Sequence, residues 1–175
     1  MSNLFSGEAH QNHEGSTMKN VLIVGIGSRI MMDDAIGICL VEDLRKLGTN
    51  PYIRYLIGET DVDYCIGEIL DYDYVIIIDA FLSGNQPGFI TVVPLNELKY
   101  KNEDSFYSMH GLHLLNIIRC AKQFPDGIFI GIEPYEINYG FTLSDLLQSI
   151  YSHILLGVQE QFGKYIEQYE GRKNA

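Results

Sequence analysis

The amino-acid sequence predicts an α/β fold, a layered sandwich built on a mostly parallel sheet. Two apolar runs, VLIV at 21–24 and YVIIIDA at 74–80, carry aliphatic residues not interleaved with polar ones, the pattern of strands buried on both faces. These runs alternate with segments of helical periodicity, and strand–helix alternation is the signature of a parallel sheet covered by helices. A chain of 175 residues fits one such domain with a real core and is short for two.

The elements follow in order. Asn20 to Val24 is the first strand, followed by the turn GIGSRIMMDD and a helix from about Asp34 to Leu47. In that helix Ile36, Leu40, Leu44 and Leu47 make one apolar stripe, and Gly48 is placed to stop it. Tyr52 to Ile57 reads as a strand, Val62 to Leu70 as a short helix, and 74–80 as the strongest strand of the chain. GFITVV at 88–93, between the Gly84-Asn85-Gln86-Pro87 turn and Pro94, reads as a strand at a sheet edge. A helix is expected near Gly111 to Phe124, a strand at GIFIGIE, and a long amphipathic helix from Phe141 onward. Leu147, Ile150, Ile154, Val158, Phe162 and Ile166 form its apolar side.

A formal net charge of −11 argues against nucleic acid and against anionic membrane surfaces as partners, because the long-range field repels both. No apolar stretch has the length of a membrane span. Cys39, Cys65 and Cys120 form no CxxC pair and no secretory signal precedes them, so they read as reduced thiols of a cytoplasmic protein, with Cys39 as core filler. Residues 1–17 are polar and aperiodic and read as a flexible leader or cloning remnant, leaving 18–175 as the single domain. His10 and His13 in that leader read as adventitious metal contacts at most.

Ligands of open parallel sheets bind beyond the carboxyl ends of the strands. Three expected strand ends deliver Asp34, Glu59 and Asp79 to one rim. A nucleotide-binding module is one reading of the GxG turn, with Glu59 as a ribose-binding acid. Against it, Ile30 stands where the third glycine of GxGxxG belongs, and Asp33 and Asp34 would repel a pyrophosphate at the helix start. A metal site is the other reading: Asp34 and Asp79 supply oxygen ligands, and His110 or His113 adds a nitrogen for nickel or zinc. Each residue also has an ordinary reading. Asp33 serves as a helix N-cap, His110 as another cap, and His113 and His153 as structural or surface residues; Glu133-Pro134 is a strand-ending turn.

The ordered set VLIVGIGSRIMMDDAIG, YVIIIDA, SMHGLHLL and IGIEP, spanning Lys19 to Ser144, closely resembles the hydrogenase maturation endopeptidases. The resemblance implies a five-stranded twisted sheet between helical layers on both faces, with one antiparallel strand, for which 88–93 is the candidate. It implies removal of a C-terminal extension from the large-subunit precursor of a nickel–iron hydrogenase, after nickel insertion. It places the nickel-contacting acids on Asp34 and Asp79 and the histidine on His110 in preference to His113; these three are the expected catalytic and metal residues. The nickel would be carried by the precursor, with zinc able to substitute in vitro, and Glu59 is a secondary candidate for substrate contact. Ser28, Ala35 and Gly58-Glu59-Thr60 depart from the family's usual asparagine, glycine and GGT-like segment. No HExxH and no Ser–His–Asp or Cys–His arrangement is evident, so attack by a metal- or carboxylate-activated water is expected. A non-catalytic nickel carrier or checkpoint protein is the remaining alternative.

Overall fold

A computed structural model describes residues 21–98 and 125–173, with side chains through residue 167. Five strands form one sheet: β1 (Val21–Ile26), β2 (Ile53–Glu59), β3 (Tyr74–Ala80), β4 (Ile90–Pro94) and β5 (Asp126–Ile132). Their order across the sheet is β2-β1-β3-β5-β4. β1 pairs in parallel with β2 and β3, and β3 in parallel with β5, while β4 runs antiparallel to β5. The expected antiparallel edge strand is therefore β4, with Pro94 as its last residue rather than just beyond it. An edge tolerates a residue that cannot donate to the ladder.

Helices α1 (Ile36–Leu47) and α4 (Asp145–Lys173) cover one face, and α2 (Val62–Ile69) and the single turn α3 (Leu95–Leu98) belong to the other. Strand alternation sorts the core between them. Ile23, Ile76, Ile78 and Ile130 pack with the stripes of α1 and α4, whereas Leu22, Val24, Ile77 and Phe129 pack with α2 and α3. The periodic residues read along α4, from Leu147 to Ile166, all join the first core. Asp61 caps α2, its carboxylate accepting from the Tyr64 N–H at 2.9 Å. Among the described residues no helix is long and apolar enough to cross a membrane.

Four element boundaries differ from those expected. β1 and β2 each run two residues beyond their expected ends, so that Gly58 and Glu59 still belong to the sheet. α1 starts at Ile36 because Met32–Ala35 first make a 3-10 turn. α4 starts at Asp145, after a segment of irregular backbone. Gly48 does end α1, but with φ −71° and an extended backbone. A Cβ there would lie 2.3 Å from the Tyr55 hydroxyl, the far end of a side chain that can shift, so space favours glycine without requiring it.

The cysteines differ from expectation in rank. Cys65 is fully buried and Cys39 only partly so, packed against the edge of the α1/α4 core. Burial pushes the Cys65 thiol up to about 11, with Asp61 adding to the shift. At pH 8 that leaves a thiolate fraction of about one in a thousand. Iodoacetamide at pH 8 is therefore expected to leave Cys65 unlabelled in the native chain and to label it in urea, as read by mass spectrometry of its peptide. Labelling at equal rates in both states would contradict this burial.

Candidate functional site

The segment 25–35 joins β1 to α1 within a tight space. Gly27 sits at φ +136°, and a Cβ there would lie 1.9 Å from the Asp34 carbonyl oxygen. The glycine is thus required by the chain's own approach to itself. In a dinucleotide loop the corresponding space receives the pyrophosphate; here the Asp34 backbone fills it. The Gly27 N–H donates to the Glu59 carbonyl at 2.9 Å, which fastens the turn to the end of β2.

Asp34 is 2% exposed, and one of its carboxylate oxygens accepts from the Ser28 N–H at 2.7 Å. The departure at Ser28 is thus neutral in this respect, because the bond uses the backbone of residue 28 and not its side chain. Asp79 is 1% exposed and closes the most apolar strand of the chain; its Oδ1 accepts from the Ala80 N–H at 2.8 Å. β1 and β3 are neighbours, with Gly25 level with Ile78, so the two acids leave adjacent carboxyl ends of the sheet. A Cβ on Gly37 would sit 2.5 Å from the Ile26 oxygen and 2.3 Å from the Ile78 oxygen, which shows how closely α1 is seated on those two ends.

Both acids are buried carboxylates oriented by backbone N–H groups. Such carboxylates are oxygen donors suited to a borderline divalent ion. Among the described residues no cluster of three or more histidines, cysteines and acids is assembled. His110 and His113, together with Cys120, the helix expected over 111–124 and the leader, lie outside the described residues.

Glu59 reaches the same end of the sheet but in a different condition. It is one of two described non-glycine residues with positive φ, at +49°, and its side chain is 58% exposed. Its carboxylate pairs with Arg29, which donates from Nε at 3.1 Å and from a terminal nitrogen to Glu42 at 2.7 Å. These two partners hold the guanidinium pKa above its usual value, the Glu42 hydrogen bond contributing most.

Two acids have roles that the sequence concealed. Asp33, expected as an N-cap, lies inside the 3-10 turn and caps no helix; α1 begins after Ala35 without a side-chain cap. Its fully buried carboxylate instead accepts four hydrogen bonds from residues more than a hundred positions away. The donors are the N–H groups of Tyr135 at 3.0 Å, Glu136 at 2.9 Å and Ser144 at 2.7 Å, and the Ser144 hydroxyl at 2.8 Å. Glu133, expected as part of a plain turn, is also buried; its carboxylate accepts from the Ser83 N–H at 2.7 Å and from the Ser83 hydroxyl and Gly84 N–H. It ties the loop after β3 to the end of β5. The available signal for Glu133 was the one that singled out Asp79, an acid directly after a buried apolar strand. His153, by contrast, is an exposed residue of α4.

A family model for hydrogenase maturation proteases, HycI, matches residues 38–158. The hydrogenase 2 maturation protease of Escherichia coli strain K12 is 26% identical over 135 residues, covering 74% of this chain and 82% of that protein. Among solved structures, the hydrogenase maturating endopeptidase HybD from E. coli superposes with a TM-score of 0.70 at 24% identity, covering 83% of this chain and 93% of that one. The NiFe hydrogenase maturation protease HybD from Thermococcus kodakarensis gives a TM-score of 0.64 at 27% identity, covering 81% and 98%.

Proposed function

The chain belongs to the hydrogenase maturation protease family, and we propose that it removes the C-terminal extension of a nickel–iron hydrogenase large-subunit precursor after nickel has been inserted. The observation that carries this reading is the pair of buried, backbone-oriented carboxylates, Asp34 and Asp79, at adjacent strand ends of a family protease. His110 completes the proposed ligand set.

In this reading nickel arrives as part of the substrate. Asp34, Asp79 and His110 hold it when the precursor docks, and the bound ion supplies a template and a Lewis acid at the scissile peptide. Asp34 is pinned by the Ser28 N–H and Asp79 by the Ala80 N–H, so neither carboxylate must search rotamers as the precursor arrives. Such pre-orientation lowers the entropic cost of engaging the ion. It also makes cutting conditional on metal insertion, because a precursor without nickel lacks the group that these residues grip. Glu59, exposed beside Arg29, is the proposed contact for the precursor at the β2 end of the rim.

Purified protein is expected to shorten a nickel-loaded precursor by one discrete C-terminal peptide and to leave the metal-free precursor intact, as read by intact-mass spectrometry. Equal cutting of both forms would remove nickel gating from the reading. Binding of the loaded precursor without any peptide release would instead support a carrier or checkpoint role. The space above Gly27 is filled by backbone, so a calorimetric titration with NAD or ATP is expected to show no saturable heat.

A further inference from the structure

Asp33 stands next to a proposed metal-contacting acid yet faces away from it, toward the segment 135–144. The connection between the two segments is dense. Besides the four bonds to its carboxylate, the Met32 N–H donates to the Gly140 oxygen at 3.1 Å, the Gly140 N–H to the Ile30 oxygen at 3.0 Å, and the Asp33 N–H to the Glu136 oxygen at 3.3 Å. Met32 itself has φ +47°, a left-handed conformation that a non-glycine residue adopts only when its surroundings impose it. Ser144 closes the circuit. Its hydroxyl donates to Asp33 and accepts from the Leu147 N–H at 3.3 Å, at the start of α4.

We infer that Asp33 is a positioning residue for Asp34: by clamping segment 135–144 and the start of α4 onto the strained turn at Met32, it holds Asp34 at the strand-end rim. The inference rests on the proposed role of Asp34 in processing. The carboxylate is specifically required. Oδ2 accepts from Tyr135, Glu136 and the Ser144 hydroxyl, and Oδ1 from the Ser144 N–H, so every contact is an acceptor. An asparagine amide would turn its NH2 toward at least one backbone donor in either orientation. The turn would then lose the bonds that compel Met32 into its conformation, and Asp34 would sample positions away from the rim.

The test compares Asp33→Asn, Ser144→Ala, Asp34→Ala and the wild-type chain by amide hydrogen exchange and by single-turnover processing of nickel-loaded precursor. In Asp33→Asn the amides of Tyr135, Glu136 and Ser144 are expected to exchange at least about tenfold faster, with the β3 amides of Ile76–Ile78 unchanged. Processing at saturating precursor is expected to fall by about ten- to a hundredfold, the range typical of groups that orient a metal-contacting residue. Adding Met32→Gly, which adopts a positive φ without strain, is expected to recover part of that rate. A merely structural clamp would loosen the same amides but leave the rate unchanged, and that result overturns the inference. Should Asp33→Asn fail to fold, Ser144→Ala takes its place, removing the hydroxyl that bonds both Asp33 and the Leu147 N–H, with an expected loss of about three- to tenfold; a wild-type rate there is equally fatal. If Asp34→Ala processes precursor at the wild-type rate, the site assignment fails, and the exchange data still report separately whether the clamp exists.

Discussion

Asp79→Asn is expected to lose more than about a hundredfold of precursor processing, beyond the range typical of outer-shell changes, while unfolding no more easily than the wild-type chain. The two halves of this result have separate causes. Asparagine has the shape of aspartate and its carbonyl oxygen can still accept from the Ala80 N–H, so the local hydrogen bond survives. What disappears is the anionic oxygen donor that the proposed mechanism directs at the precursor's nickel. Asp79 is 1% exposed at the end of a strand of valine and isoleucines, and an isosteric replacement leaves the packing around it unchanged. Single-turnover processing and a urea denaturation midpoint, measured on the same preparation, check both halves. Asp34→Ala and His110→Ala are expected to share the loss of processing. Full activity in Asp79→Asn would show that this acid takes no part in the reaction.

Gly37→Ala is expected to destabilise the protein by about 3 kcal/mol, the upper part of the usual range for overpacking. Glycine in a helix interior ordinarily gains from replacement by alanine. Here the sign reverses because the added carbon would lie 2.3 Å from the Ile78 oxygen and 2.5 Å from the Ile26 oxygen. Both obstacles are backbone at the ends of central strands, so no side chain can rotate away to relieve them. A Cβ on Gly25 would in turn meet the Gly37 oxygen at 2.6 Å, which marks the contact as backbone against backbone. The only relief is to lift α1 off the sheet, and that movement carries the Met32–Ala35 turn and Asp34 with it. Urea denaturation gives the stability change, and processing of loaded precursor should fall in parallel. A stability within about 1 kcal/mol of wild type would show that α1 shifts freely.

Gly37 also answers a question posed by the turn. A dinucleotide fingerprint uses its third glycine for close helix–strand packing. Ile30 occupies that place here, and the packing glycine instead lies seven residues later, inside α1. The GxG spacing looked like a nucleotide loop because the same physical demand, a strand turning sharply into a tightly seated helix, produces glycines in both.

Much of the architecture was legible because burial on both faces writes itself into consecutive residues. The uninterrupted runs of β1, β3 and β5 name the central parallel strands, and Leu147 to Ile166 names the face of α4 on the core. Acids immediately after such runs also reveal themselves, which is how Asp79 became a candidate from sequence and how Glu133 could have. The role of Asp33 was not legible. Its donors lie 102 to 111 residues away, and three of the four are backbone N–H groups that any residue type could offer. A hydrogen bond from a main-chain amide leaves no mark on amino-acid identity. By itself, then, the sequence determined which segments are strands, which helix faces are apolar and which acids stand at strand ends, since these depend on local periodicity. Only the tertiary structure decided that the Asp33 carboxylate is spent on a distant loop rather than on capping its own helix, because that depends on what folding brings within about three ångströms.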